Sequence, residues 1–135
     1  MHHQFHIHIY YEDTDHSGVV YHANYLRFFE RAREHMFGID ALVNLYKNHG
    51  IGFVVYQAQM QFKKGAEFGD EVLILSTVRQ ESRYRLIFHQ KATTLGDELL
   101  VDANIHLACV NTEKKLVPLP EIVLHKISKK EFFQN

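Results

Sequence analysis

Between Tyr10 and Arg33 the chain reads YYEDTDHSGVVYHANYLRFFERAR, where three carboxylates, an imidazole and a glycine turn run into the start of a helical pattern. A helix start leaves several backbone N–H groups unpaired and carries about half a positive charge, which suits a developing oxyanion. A carboxylate held beside it can serve as nucleophile or general base. Residue types do not choose among Glu12, Asp13 and Asp15, and Asp side chains commonly bind loop amides as Asx turns, a structural role that competes with the chemical one. Other reactive patterns are missing. There is no G-x-S-x-G elbow, no G-x-x-x-x-G-K-[ST] loop and no G-x-G-x-x-G turn, which disfavours a serine triad, nucleotide hydrolysis and dinucleotide redox chemistry. His2, His3, His6 and His8 cluster at the start of the chain. His6 and His8 share a strand face and could chelate, but neither a second ligand type from Cys nor an H-E-x-x-H pattern completes a site, so they read as solvated edge-strand residues and no metal or cofactor is expected.

The elements that must position this segment follow from hydrophobic periodicity. Residues 4–11 predict a strand, with Phe5, Ile7, Ile9 and Tyr11 alternating against His6, His8 and Tyr10. From Tyr25 the apolar residues Tyr25, Phe29, Ala32, Met36 and Ile39 recur at helical spacing, opposite Arg27, Glu30, Arg31 and Glu34. Asn24 is the expected N-cap and Gly38 a break or end, after which Leu42, Val43, Leu45 and Tyr46 extend or restart the helix. Four runs of period two come next. Val54, Tyr56, Ala58, Met60 and Phe62 form one face of the first; Asp70 to Gln80 is the second; Tyr84 to Ala92 is the third; Leu99 to Cys109 is the fourth. Short connections favour pairing them as an antiparallel meander. Pro118 and Pro120 mark the boundary to a short tail. One helix cannot shield both faces of a five-stranded sheet, so sheet edges and one face are left for oligomerisation.

Composition bounds the rest. The 135 residues suit one domain spanning 1–135. A hydrophobic fraction of 46% predicts a packed core. The net charge of -1 offers no basic face for a row of phosphates, so nucleic acid is not an expected partner. Cys109 is the only cysteine, which precludes an intramolecular disulfide and fits a reducing compartment. The absence of a secretory pattern and of a long apolar run adds to an expectation of the cytoplasm.

Tyr11, Asp13, Asp15, Gly18, Val19, Val20, Tyr21, His22, Tyr25 and Glu30 to Arg33 closely resemble the opening motif of the 4-hydroxybenzoyl-CoA thioesterase family, especially its YbgC branch of Tol-Pal-associated acyl-CoA thioesterases. The resemblance extends more loosely to Phe53-Val54-Val55, to Ser82, Phe88 and Gln90, and to Cys109-Val110. Gly65 departs from it, standing where these proteins commonly carry proline, and is expected to loosen that turn. The resemblance implies an α+β hotdog fold, a five-stranded curved antiparallel sheet wrapped around one long central helix. It implies an acyl-CoA thioesterase in which Asp15 is the catalytic carboxylate, acting as nucleophile or general base, while Asp13 is structural. His22 sits at the helix entrance, where its backbone N–H polarises the thioester carbonyl, and Tyr11 lines the site. Among residues that could hold the acyl-CoA substrate, Tyr25 belongs to the acyl pocket, whose other expected walls are Phe28, Phe29, Tyr56 and Met60. Lys64 and Arg83 lead the cations, Lys63, Arg85 and Lys91 included, that could meet the coenzyme phosphates.

The same resemblance implies homodimers that assemble further into tetramers with sites between subunits. Its Tol-Pal association admits a rival, a scaffolding module that binds acyl-CoA or acyl carrier protein beside the envelope machinery. A hotdog dehydratase using His22 and Asp15 as acid and base is a third reading, against which the D-x-D-x-x-G-x-V-x-x-x-x-Y element argues.

Overall fold

The computed structural model describes residues 3–128, so His2 lies outside it. In chain order the elements are β1 (His3–His8), α1 (Asn24–Phe37), α2 (Ile39–His49), β2 (Gly52–Phe62), β3 (Glu71–Gln80), β4 (Arg85–Thr94), β5 (Leu99–Val110) and α3 (Glu121–Ser128). The strands form one antiparallel sheet in the order β1-β3-β4-β5-β2. The expected meander thus holds for β3, β4 and β5 only. β2 crosses to the far edge and pairs with β5, and the β1–β3 pair takes up the other edge. Short loops did not force β2 beside β3, because the 63–70 connection runs back along the 19–20 loop, with Val20 N–H donating to Ala66 O at 2.8 Å.

α1 lies on one sheet face and buries Tyr25, Phe28, Phe29, Ala32, Met36 and Phe37 against Ile74, Leu86, Phe88, Val101 and Ile105. The single long helix is two helices here. Gly38, at φ 94° and ψ 119°, ends α1 and starts α2, and Ile39, expected on the buried stripe, is exposed. A non-glycine residue adopts that φ only with strain. The Lys126 ammonium donates to the Phe37 carbonyl, placing a cation at the negative end of α1. Lys126 belongs to α3, which covers the core with Val123 where a plain tail was expected. The prolines end the preceding extended segment and then supply the first turn, since Pro120 O accepts from Val123 N–H at 3.0 Å and Leu124 N–H at 3.1 Å.

The first strand stops at His8, and Tyr11–Asp13 is a turn of 3-10 helix. β2 keeps its length but loses its single apolar face. A bulge between Val55 and Gln57 shifts the register, so Val55 pairs with Leu107 whereas Ala58, Met60 and Phe62 pair with Ile105, Ala103 and Val101. Tyr56 is the extra residue. Its ring goes to the opposite side of the sheet, meeting His106 at 5.8 Å and the Arg85 guanidinium at 5.0 Å.

One polar network ties α1 to the sheet. Gln90 on β4 is fully buried; its amide donates to Phe29 O at 3.0 Å and to the Ser76 hydroxyl at 2.9 Å, and its Oε1 accepts from Arg33 Nη1 at 3.0 Å. Among the described residues Arg33 makes no ion pair, and burial, opposed by the charges of Glu30 and Glu34, lowers its guanidinium pKa to about 10. Such a group is costly unless every donor is met. Replacing Gln90 by Leu removes the acceptor and leaves the buried cation uncompensated; urea unfolding is expected to show a loss of about 3 kcal/mol.

Candidate active site

The loop from Thr14 to Val20 is a miniature hairpin. Thr14 and Val20 bridge, Asp15 N–H donates to Val19 O at 2.8 Å, and Gly18 N–H donates to Asp15 O at 3.1 Å. Gly18 adopts φ 87°, so this tip of the turn needs glycine. Inside the turn Asp15 Oδ1 accepts from the Ser17 amide at 2.8 Å and the Ser17 hydroxyl at 2.7 Å. These two bonds hold the Asp15 carboxyl below the usual carboxylate range, helped by Val19 and by the His22 side chain and opposed by partial burial. Both land on Oδ1; among the described residues no full hydrogen bond is made to Oδ2.

Asp13 is spent differently. Its Oδ2 accepts from Tyr10 N–H at 2.8 Å, and its backbone carbonyl accepts from Tyr21 N–H at 2.9 Å and from the Asn24 side-chain amide at 3.0 Å. That last bond corrects the expected cap. Asn24 is the first residue of α1, and its side chain is turned back to the loop, so the N-cap position falls to Ala23, which has no side-chain acceptor to offer. Among the described residues the backbone N–H groups of His22 and Ala23 have no hydrogen-bond partner. An uncapped helix start with free donors is the anion-seeking feature that the sequence suggested.

Asp15 and His22 line one cavity of about 350 Å³ with Val19, Val20, Tyr25, Phe62, Lys63, Lys64 and Gly65. Tyr25 is buried, its ring 6.1 Å from Phe62 and 5.7 Å from Phe28. Burial pushes its phenol pKa up, and its hydroxyl has no full hydrogen-bond partner. The His22 ring leans on Tyr21 at 4.6 Å and stands edge-on to Phe62 at 6.0 Å. Lys64 reaches the rim but is paired with Glu98 at 3.1 Å; Lys63 has no ion-pair partner among the described residues.

Other expected residues lie elsewhere. Tyr11 is exposed and packs on Phe68 at 5.8 Å, outside the cavity lining. Arg83 lies in the β3–β4 connection over Tyr84, and it too is outside the lining. Phe29 is core, Phe28 faces a different cleft between β1 and α1, Met60 packs against the core, and Tyr56 is on the outer face. Two residues were missed. Ser17, a loop serine, carried no sequence signal beyond its place two residues after an Asp. Gly65 was read as a loosened turn, yet a Cβ there would stand 2.7 Å from Val19 Cγ1 and 2.9 Å from Val19 Cβ. Glycine lets the 63–67 segment press directly on the hairpin that carries Asp15.

A five-stranded antiparallel sheet with a helix packed on one face is the hotdog arrangement of the thioesterases, and the chain's relatives place it among them. Residues 10–127 match the model of the thioesterase-like superfamily. The chain is 35% identical over 122 residues to the acyl-CoA thioesterase YbgC of Haemophilus influenzae, covering 88% of this chain and 89% of that protein. It is 33% identical over 113 residues to the acyl-CoA thioester hydrolase YbgC of Escherichia coli, covering 80% and 81%. The solved 1,4-dihydroxy-2-naphthoyl-CoA thioesterase of Synechocystis superposes with a TM-score of 0.89 at 25% identity over 97% of this chain and 98% of that one. The chain therefore belongs to the thioesterase-like superfamily and is a thioester hydrolase with a YbgC-like sequence.

Gly65→Ala is expected to displace Val19 and with it the Asp15 hairpin. Thioester hydrolysis should fall by about tenfold or more, because small misplacements at a reacting centre are costly, with a stability loss of about 1–3 kcal/mol in the same preparation.

Proposed function

We propose that the chain hydrolyses acyl-CoA thioesters, with Asp15 as the reacting carboxylate and the amides at the start of α1 as the oxyanion site. One observation carries this reading: Asp15, with Oδ2 unengaged, and the uncapped helix entrance at His22 border the same cavity. In the first route Asp15 Oδ2 attacks the thioester carbonyl, the C–S bond breaks to release the thiol, and water then cleaves the mixed anhydride. In the second, Asp15 takes a proton from a water that attacks the carbonyl directly, the C–S bond breaks, and the departing thiolate takes that proton back from Asp15. Both routes place negative charge on the carbonyl oxygen, which the His22 and Ala23 N–H groups and the positive end of α1 stabilise. A thioester carbonyl is electrophilic enough for one carboxylate and a good oxyanion site to suffice. The acyl group would rest against Val20, Tyr25 and Phe62, and Lys63, with no competing carboxylate among the described residues, is a better candidate than the Glu98-bound Lys64 for a coenzyme phosphate.

The site opens beside β2, an edge strand whose Val54, Val55, Tyr56 and Phe62 are exposed. An edge of this kind is a template for a second chain, and pairing there would bring a partner against the cavity at Phe62 and Lys63. A homo-oligomer with the site at the subunit boundary follows as part of the proposal.

Asp15→Asn keeps the shape and the Oδ1 acceptor but removes the negative charge. Thiol release from acyl-CoA is expected to drop about 10²- to 10⁴-fold with the circular dichroism spectrum unchanged. A fully active variant overturns the mechanism, and saturable acyl-CoA binding by a parent chain that never turns over would instead favour the scaffolding reading. The pH profile supplies a second check. Since Ser17 lowers the Asp15 pKa, the carboxylate stays ionised into more acid solution, and the acid limb of kcat/KM should lie below the ordinary carboxyl range. In Ser17→Ala that limb should move to higher pH, with activity near neutrality largely kept.

A further inference from the structure

The sheet face away from α1 carries a group of side chains that hydrolysis does not use. His6 and His8 are two residues apart on β1 and project from the same face. β1 pairs with β3 so that His8 stands opposite Glu71 and His6 opposite Leu73. Glu71 is thereby the direct cross-strand neighbour of one histidine and the diagonal neighbour of the other, within reach of both. Its Oε1 lies 3.2 Å from His6 Nε2 and 3.3 Å from His8 Nε2, and the three ligand atoms all fall within 4.8 Å of one another. The two imidazoles meet edge to face with centroids 5.3 Å apart.

A carboxylate oxygen accepting from two imidazole N–H groups would give such distances. So would three lone pairs turned toward one cation: a tetrahedral ion with bonds of about 2.0–2.2 Å holds its ligand atoms about 3.3–3.6 Å apart. Two histidines alone form an incomplete site in the sequence, and strand pairing brings the third ligand. We propose that His6, His8 and Glu71 form a binding site for a divalent transition-metal ion on the outer face of the β1 edge. Imidazole nitrogen favours Zn²⁺, Ni²⁺ or Cu²⁺ over Mg²⁺ and Ca²⁺, which prefer all-oxygen shells. Three protein ligands leave the remaining position to water, as in open zinc sites. The ion would tie β1, the shortest strand at 6 residues, to β3.

Metal-stripped protein titrated with Zn²⁺ in a calorimeter is expected to bind one ion per chain, and Co²⁺ in its place should give visible absorption typical of nitrogen ligation. His6→Ala and Glu71→Gln are expected each to weaken Zn²⁺ binding by about 10- to 100-fold or more, since even the loss of a group that only orients a ligand costs that much. Zn²⁺ should raise the thermal midpoint of the parent and leave that of Glu71→Gln unmoved, because the ion stabilises only the state that binds it. Absence of saturable binding, or binding indifferent to both substitutions and so carried by other members of the 11 histidines, overturns the site.

Discussion

Among the described residues the His22 and Ala23 amides just ahead of α1 have no partner, and the proposed site depends on that deficit. The side chain of Asn24, the first residue of α1, is turned back to donate through Nδ2 to the Asp13 carbonyl. Asp13 in turn closes the 3-10 turn by accepting from Tyr10 N–H. A conventional Asn, Ser or Asp cap adds about 1 kcal/mol to a helix. No side chain caps α1: its Tyr25 and Leu26 amides donate to His22 O and Ala23 O, and on the proposed reading the unpaired His22 and Ala23 amides ahead of it meet a charge that exists only during reaction. The carboxylate partner is held by the same economy of contacts: Ser17 binds one Asp15 oxygen twice, which fixes the side chain and keeps it ionised, while the other oxygen stays available.

Holding this arrangement still requires α1 to keep one position on the sheet, and apolar packing by itself tolerates sliding. The buried Gln90 has one acceptable place, where it meets Phe29 O, the Ser76 hydroxyl and the Arg33 guanidinium together. A shift of α1 by one turn would strand all three. The network therefore contributes less to net stability than to register, and register determines where the N-terminus of α1 points. From the other side, Gly65 sets how closely the 63–67 segment approaches Val19, and Val19 O holds the Asp15 amide.

Much of this was legible in the chain because the signals are local. The stripe Tyr25, Phe29, Ala32, Met36 announced α1, Gly38 its break, and Gly18 a turn ahead of the helix. Features that depend on contacts between distant segments were not legible. The bulge at Tyr56 depends on how β2 registers with β5, so an unbroken period-two pattern in the sequence concealed a change of face. The crossing of β2 to the sheet edge, the seating of Arg33 on Gln90 and the steric need for glycine at 65 are likewise invisible to spacing. Where Arg83 and Tyr11 lie is also a matter of chain geometry: one stands over Tyr84 in the β3–β4 connection and the other packs on Phe68, both outside the cavity lining within one chain.

The two sheet edges are treated unequally, and the difference bears on how the site is completed. β1 is short, and its outer side carries His6 and His8 beside Glu71, polar groups that discourage another strand from docking. β2 spans 11 residues, with exposed Val54, Val55, Tyr56 and Phe62 and a line of glutamines in place of charges. The bulge at Tyr56 is the one feature along it that blunts the edge; beyond the bulge the strand runs regularly to Phe62, which already lines the cavity. The exposed apolar residues of β2 lie beside the mouth of the cavity, and this is what links the proposed second chain to the proposed site: pairing along β2 would set a partner against Phe62 and Lys63.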